Sequence, residues 1–251
     1  MSQNNENINR IIREKNWHNQ TFETDVRKNM HKYYSLGITD IILNRLLIEL
    51  KNSDSIFLEY WCGTGYYLIN ISNKIKKGIG IDISDILIEK AKKNAKENSV
   101  ENIDFYIMDA MNTTFDDEYF DIIHSNAILH HLNLELSLNE IKRILKNNGT
   151  AMFLEPLATN PVIALYRKLT PKARTPDEQP LRIKDIKMIK KIFPSTKISY
   201  YSFFTLFAVP FRNTKLFSQM LTILTFLDKI ILNKYSPFKW LAWVCILVLK
   251  K

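Results

Sequence analysis

Cysteine is nearly absent from this 251-residue sequence. Cys62 and Cys245 stand far apart, with no CxxC pair and no Cys/His ligand spacing, which argues against a disulfide framework or a zinc module. A reducing cytoplasm is the expected compartment, and no metal is expected. The opening MSQNNENINR has no apolar run behind its charges, so no secretory signal is read there. Long hydrophobic runs are missing too. The most apolar stretch, Trp240 to Leu249, has ten residues, against roughly 20 for a membrane-spanning helix. It is expected as a buried strand or an interfacial element. No internal repeat, long low-complexity linker, RRM, KH or zinc nucleic-acid module is present, nor an NPPY-like tetrad for exocyclic amines. Acidic residues thin out towards the C-terminus: residues 161 to 251 hold 17 Lys and Arg against 4 Asp and Glu, whereas residues 1 to 160 hold 18 against 22. That basic last third could face an anionic membrane, a nucleic acid or a phosphorylated substrate, or be a solvated lysine-rich surface.

With 46% hydrophobic and 24% charged residues, the chain can bury one large α/β core. Residues 5 to 50 read as helices, with Ile38, Ile41, Ile42, Leu46 and Leu50 at helical spacing. Strand then alternates with helix. Strands are expected over Ser55 to Tyr60, Gly78 to Asp82, Ile103 to Met108, Phe120 to Ser125 and Thr150 to Glu155. Helices are expected near 66 to 76, 85 to 98 and 134 to 146. Such alternation predicts a parallel sheet with helices on both faces. Pro156, Pro161, Pro171, Pro176 and Pro180 punctuate an insertion after the fifth strand. A helix through Ile183, Ile186, Ile189 and Phe193 follows. A strand over Lys197 to Phe204, an apolar helix from about Lys215 to Leu232 and a last strand over Trp240 to Leu249 complete the chain.

The segment IFLEYWCGTGYYLINIS, Ile56 to Ser72, places a Gly-x-Gly turn between a strand and a helix. Such a turn lets backbone approach a ligand, and the helix start offers unpaired N–H groups. Seventeen residues after Gly65, Asp82 ends GIGID, a place suited to a carboxylate that accepts from ribose hydroxyls; capping of the helix beginning near Asp85 is its other reading. Asp109 follows the third strand at the same edge of the sheet.

These residues resemble the class I S-adenosylmethionine-dependent methyltransferase family from Glu59 through Pro156. LEYWCGTG resembles its acidic residue and glycine-rich turn, GIGIDIS its second-strand motif, and MDAMNTTFDDEYFDIIHSNAILHHL its third- and fourth-strand region. LKNNGTAMFLEP resembles the run into its fifth strand. The resemblance implies an α/β fold with a doubly wound, mostly parallel seven-stranded sheet, a Rossmann-like methyltransferase fold with N-terminal helices and an insertion after the fifth strand. It implies S-adenosylmethionine as cofactor, with Glu59, Gly63, Gly65, Asp82, Ile83, Asp109, Ala110 and Asn126 around it. Gly63 and Gly65 would border its methionine part, Asp82 its ribose and Asp109 its adenine amino group, with Asn126 near the sulfonium. Trp61 stands where the family usually has glycine, and Glu59 where aspartate is commoner; the indole is expected to rotate away from the ligand or to reshape its pocket.

His131 is the candidate general base, because the resemblance puts its loop beside the transferred methyl. Glu155 is a second candidate, with capping of the next turn as its plainer role. In the family the acceptor pocket comes from the N-terminal helices and the insertion, here Trp17, His18, Tyr33 and Tyr34 on one side and EPLATNPVIALYRKLTPKARTPDEQPL on the other. Arg167, Arg174 and Arg182 could grip a phosphate or carboxylate, or form salt bridges with Asp177 and Glu178.

The division expected is an N-terminal helical cap (1–52), a donor-binding core (53–156) and a substrate side with the last helices and strands (157–251), all one domain. The function expected is methyl transfer to a small hydrophobic or lipid-like acceptor, oxygen favoured over carbon. The enzyme would be cytoplasmic, with possible peripheral contact at the inner face of a membrane. An RNA or protein methyltransferase using the basic last third, and a donor-binding pseudoenzyme, are the alternatives.

Overall fold

The computed structural model describes residues 2–21, 41, 54–171, 174–175 and 177–251. A helix, α1 (Ser2–Thr21), precedes the alternating region. The order there is β1 (Ile56–Tyr60), α2 (Tyr66–Ile71), β2 (Lys77–Asp82), α3 (Asp85–Glu97), β3 (Ile103–Ile107), β4 (Phe120–Asn126), α4 (Leu134–Ile144) and β5 (Leu145–Pro156). The rest comprises α5 (Pro161–Leu169), α6 (Ile183–Ile192), β6 (Lys197–Tyr201), α7 (Phe217–Ile231) and β7 (Val244–Lys250).

One seven-stranded sheet has the order β3-β2-β1-β4-β5-β7-β6. The first five strands pair in parallel, and β7 runs antiparallel between β5 and β6. The doubly wound, mostly parallel α/β sheet expected from the alternation is therefore present. Its central strands read as apolar runs because both faces are covered. Phe57 packs with Leu68 and Ile88 on the α2 and α3 side. Its neighbour Leu58 belongs to the opposite cluster with Ile141 of α4 and Ile189 of α6, as a period of two demands. Side chains starting helices fix their entry angles: Ser84 accepts from the Leu87 N–H, Asn133 from Leu136 and Asn160 from Ile163.

Several boundaries differ from those expected. The helix after the glycine turn stops at Ile71 and passes into a 3-10 turn, Ser72–Lys74. The strand expected to reach Phe204 ends at Tyr201, because Ser202 takes a left-handed φ of 63° and a 3-10 segment, Phe204–Phe211, begins. Trp240 is not in the last strand. Pro237 starts a 3-10 turn, Pro237–Leu241, capped by the Ser236 hydroxyl, and β7 begins only at Val244. Both cysteines are buried thiols.

Candidate active site

The carboxyl ends of the parallel strands share one edge of the sheet, where ligands of doubly wound folds bind. There β1 runs into a tight turn in which Gly63 and Gly65 adopt left-handed φ of 55° and 75°. A Cβ on Gly65 would lie 2.7 Å from the Phe105 ring, whereas one on Gly63 would meet nothing within 4 Å, so the space above Gly63 is open. Trp61 is also left-handed, φ 56°, a conformation that disfavours residues with a Cβ. Its indole stands edge-on to His131, ring centres 4.8 Å apart. Trp61 lines the cleft.

Asp82 ties the turn to β2. Its Oδ2 accepts from the Gly63 N–H (3.1 Å) and its Oδ1 from the Ser84 N–H (2.9 Å). Ser84 caps α3, which removes the capping alternative for Asp82. Asp82, Ile83, Asp109 and Ala110 line one wall of a largely apolar cleft of about 480 Å³, part of it open to solvent. Burial raises the Asp109 carboxyl above its usual value of 3.8, although the Met111 N–H donates to it. Gly63 and Gly65 form the turn beside the cleft without lining it. Glu59 and Asn126 also lie outside its lining. Glu59 is buried, and that burial, with Asp82 nearby, pushes its carboxyl well above 4.5. It stands 3.9 Å from His124, which burial lowers to about 3. The Asn126 Oδ1 is buried with no hydrogen-bond partner.

His131 and Glu14 also line the cleft, and His130 adjoins His131. Arg10, Ile11 and Glu14 of α1 roof the cleft together with His131. Glu14 Oε2 lies 3.2 Å from His131 Nδ1, and the Thr175 hydroxyl donates to Glu14 Oε1 at 2.6 Å. Burial, helped by the adjoining His130, lowers His131 from 6.5 to about 4, although Glu14 and Glu178 pull the other way. Glu155 is the second base candidate. It is fully buried, accepts the N–H groups of Ile128, Leu129 and His130, and stands 2.7 Å from His130 Nδ1. Its oxygens hold the loop that carries His131, and it does not line the cleft.

A family model described as a methyltransferase domain matches residues 51–198. The chain belongs to this methyltransferase-domain family. Among curated proteins, the demethylmenaquinone methyltransferase of Lactococcus lactis is 31% identical over 115 residues, 44% of this chain and 45% of that protein. The 23S rRNA (uracil(1939)-C(5))-methyltransferase RlmD of Legionella pneumophila is 33% identical over 91 residues, 33% of this chain and 20% of that protein. The chain thus spans less than half the length of these curated relatives. Two solved structures share the fold. YcgJ of Bacillus subtilis has a TM-score of 0.57 at 17% identity, covering 84% of this chain and 99% of that one. The geranyl diphosphate C-methyltransferase of Streptomyces coelicolor has a TM-score of 0.60 at 11% identity, covering 92% and 84%.

In this methyltransferase-domain chain the expected acceptor residues fall in different places. Trp17 is half-buried on α1; Tyr33, Tyr34 and the side chain of His18 lie outside the described residues. Arg167 pairs with Glu178, and Arg174 donates to the carbonyls of Arg167 and Thr170, closing the end of α5. Arg182 precedes α6 and donates its backbone N–H to Asp185. Arg167, Arg174 and Glu178 line a second, mostly apolar cavity with Val162, Ile163 and Tyr166 of α5 and Leu206 and Val209 beyond β6. Glu178 Oε1 is also 3.9 Å from His130 Nε2. Sequence reasoning missed Glu14, Arg13 and Thr175. Arg13 donates to both oxygens of Asp177 (2.7 Å each), anchoring α1 to the insertion. The available signal was weak: Arg10, Glu14 and Trp17 share one helical face.

Proposed function

We propose that the protein transfers a methyl group from S-adenosylmethionine to a small lipid-like acceptor, with oxygen favoured over carbon. The observation that carries this reading is the convergence of Asp82, Asp109 and His131 on one cleft beside a glycine turn. The residues fit the donor: the space above Gly63 is open, the Asn126 Oδ1 has no partner, and three carboxylates, Glu14, Asp82 and Asp109, line the cavity. When bound, the donor supplies an electrophilic methyl group on a sulfonium.

Asp82 would accept from the ribose hydroxyls, with Ile83, Asp109 and Ala110 on the adenine side, and the Gly63–Gly65 turn, Asn126 and Glu59 would hold the methionine part. His131 is neutral at pH 7 and faces Glu14 through Nδ1, so its Nε2 takes the hydroxyl proton of the acceptor while Glu14 stabilises the imidazolium formed. Glu155 acts through this loop as a positioning residue. Helix α1 caps the cleft, residues 54–156 hold the donor and the described residues from 157 onward form the acceptor side. There the apolar second cavity, with Arg167 and Arg174 at its wall, suits an amphiphile. The same reading places the enzyme in the cytoplasm, in peripheral contact with the inner face of a membrane.

The test is incubation with methyl-labelled donor and fractionated lipid, small-molecule, RNA and protein extracts. Label in the lipid fraction is expected. An RNA acceptor is the second reading, favoured by the basic surplus of residues 161 to 251, and label confined to RNA would replace the first with it. Donor binding with no label in any fraction would instead make the chain a pseudoenzyme.

A further inference from the structure

Helix α7 has a wide apolar arc, with Ser218, Thr222, Thr225 and Lys229 on its remaining side, and within it only Asp228 is buried. Ile223, Phe226, Leu227 and Ile230, spaced i, i+3, i+4, i+7, form one stripe on its surface, with Phe226 62% and Ile223 61% exposed. Such a stripe ordinarily faces a core. Helix α5 repeats the arrangement: none of its residues is buried, and Val162, Leu165, Tyr166 and Leu169 are exposed at the same spacing. Between the two helices lies the 3-10 segment Phe204–Phe211, with Phe207 and Phe211 exposed. Asp228 fastens α7 to that segment by accepting the N–H groups of Phe203, Phe204 and Thr205 and the Thr205 hydroxyl. The second cavity lies between α5 and the same segment, with the exposed Val162 and Tyr166 in its lining. Exposed apolar surface this concentrated marks an interaction site.

The charge around it selects the partner. Residues 203 to 243 contain Arg212, Lys215, Lys229, Lys234 and Lys239, and a single acid, the buried Asp228. A second copy docking on this face would bring like charges together, because a twofold contact pairs the patch with itself. An anionic bilayer matches both features, the apolar stripes and the cations. No helix among the described residues is long and apolar enough to cross a membrane.

We propose that α5, the 3-10 segment and α7 form one docking surface for an anionic lipid bilayer, onto which the second cavity opens. The proposal rests on the lipid-like acceptor above, since a cavity facing the bilayer would admit such an acceptor without passage through water. The test uses the full chain, co-sedimented with phosphatidylglycerol-containing or pure phosphatidylcholine vesicles, with S-adenosylhomocysteine binding measured alongside. Sedimentation with the anionic vesicles only, weakened by salt, is expected. F226E/I230E should lower the bound fraction at least tenfold. Each of Lys229→Gln and Lys234→Gln should lower partitioning about fivefold, with S-adenosylhomocysteine binding unchanged throughout. Wild-type protein left in the supernatant at low salt overturns the docking surface, as does a dimer that F226E/I230E dissolves. Vesicle binding without methylation of any lipid leaves the docking surface standing and removes the lipid-like acceptor. Methylation of detergent-dispersed lipid without vesicle binding does the reverse.

Discussion

Helices α4 and α7 apply opposite rules to similar material. In α4, Leu138, Ile141 and Ile144 turn into the core, and Asn133 caps the start. In α7 the apolar stripe faces outward and an aspartate is the residue taken inside. The regions around them differ in the same way. The donor side spends its buried carboxylates on ordering loops, Glu155 beneath His131 and Asp82 beneath Gly63. The C-terminal third uses its one buried carboxylate, Asp228, to hold an apolar platform in place. Hydrophobicity alone therefore does not tell core from interface.

The largest effect expected is on Glu155. Glu155→Ala leaves the N–H groups of Ile128, Leu129 and His130 buried without their acceptor, and should cost about 3–5 kcal/mol in urea unfolding. Glu155→Gln should cost distinctly less, because its amide oxygen still accepts. Next comes core packing: Ile141→Ala in α4 should cost about 2–5 kcal/mol.

The pH dependence of stability follows from His131. Its folded value, about 4, lies below the unfolded value of 6.5 because burial disfavours the charged ring. The neutral native form therefore contributes stability that is complete above pH 6.5 and is lost as pH falls from 6.5 towards 4. The gap amounts to roughly 3 kcal/mol at the acid end. His124, lowered to about 3, adds to the loss with the same sign, so the comparison is between wild type and His131→Asn. The variant should lose less stability over that window, and parallel curves would remove the buried neutral histidine from the account. The smallest effect is on the platform: Phe226→Ala should change stability by no more than about 0.5 kcal/mol. A loss equal to that of Ile141→Ala would mean the α7 stripe is packed, and the contrast between the helices would collapse.

Much of the sheet was legible in the sequence because parallel strands covered on both faces leave apolar runs such as Ile56 to Leu58 and Ala151 to Leu154. The places of Asp82 and Asp109 followed from strand ends and motif spacing. Glu14 was not legible, since its partner Thr175 lies 161 residues away and no local pattern records the contact. A glutamate at the end of a strand reads alike whether it faces a ligand or three backbone N–H groups, so Glu155 took its role only from the fold. The orientation of α7 was equally hidden, because its apolar arc is wider than the face that packs, and periodicity cannot say which part of the arc turns inward.

The central claim, a methyl-donor site built on the Gly63 turn and Asp82, is tested most directly by calorimetric titration of S-adenosylhomocysteine into wild type and Asp82→Ala. The account predicts binding to the wild type and a loss of about 1–3 kcal/mol of affinity in the folded variant, where the ribose hydroxyls and the Gly63 N–H lose their acceptor. Equal affinity in a folded Asp82→Ala protein, or no binding to the wild type, would contradict it.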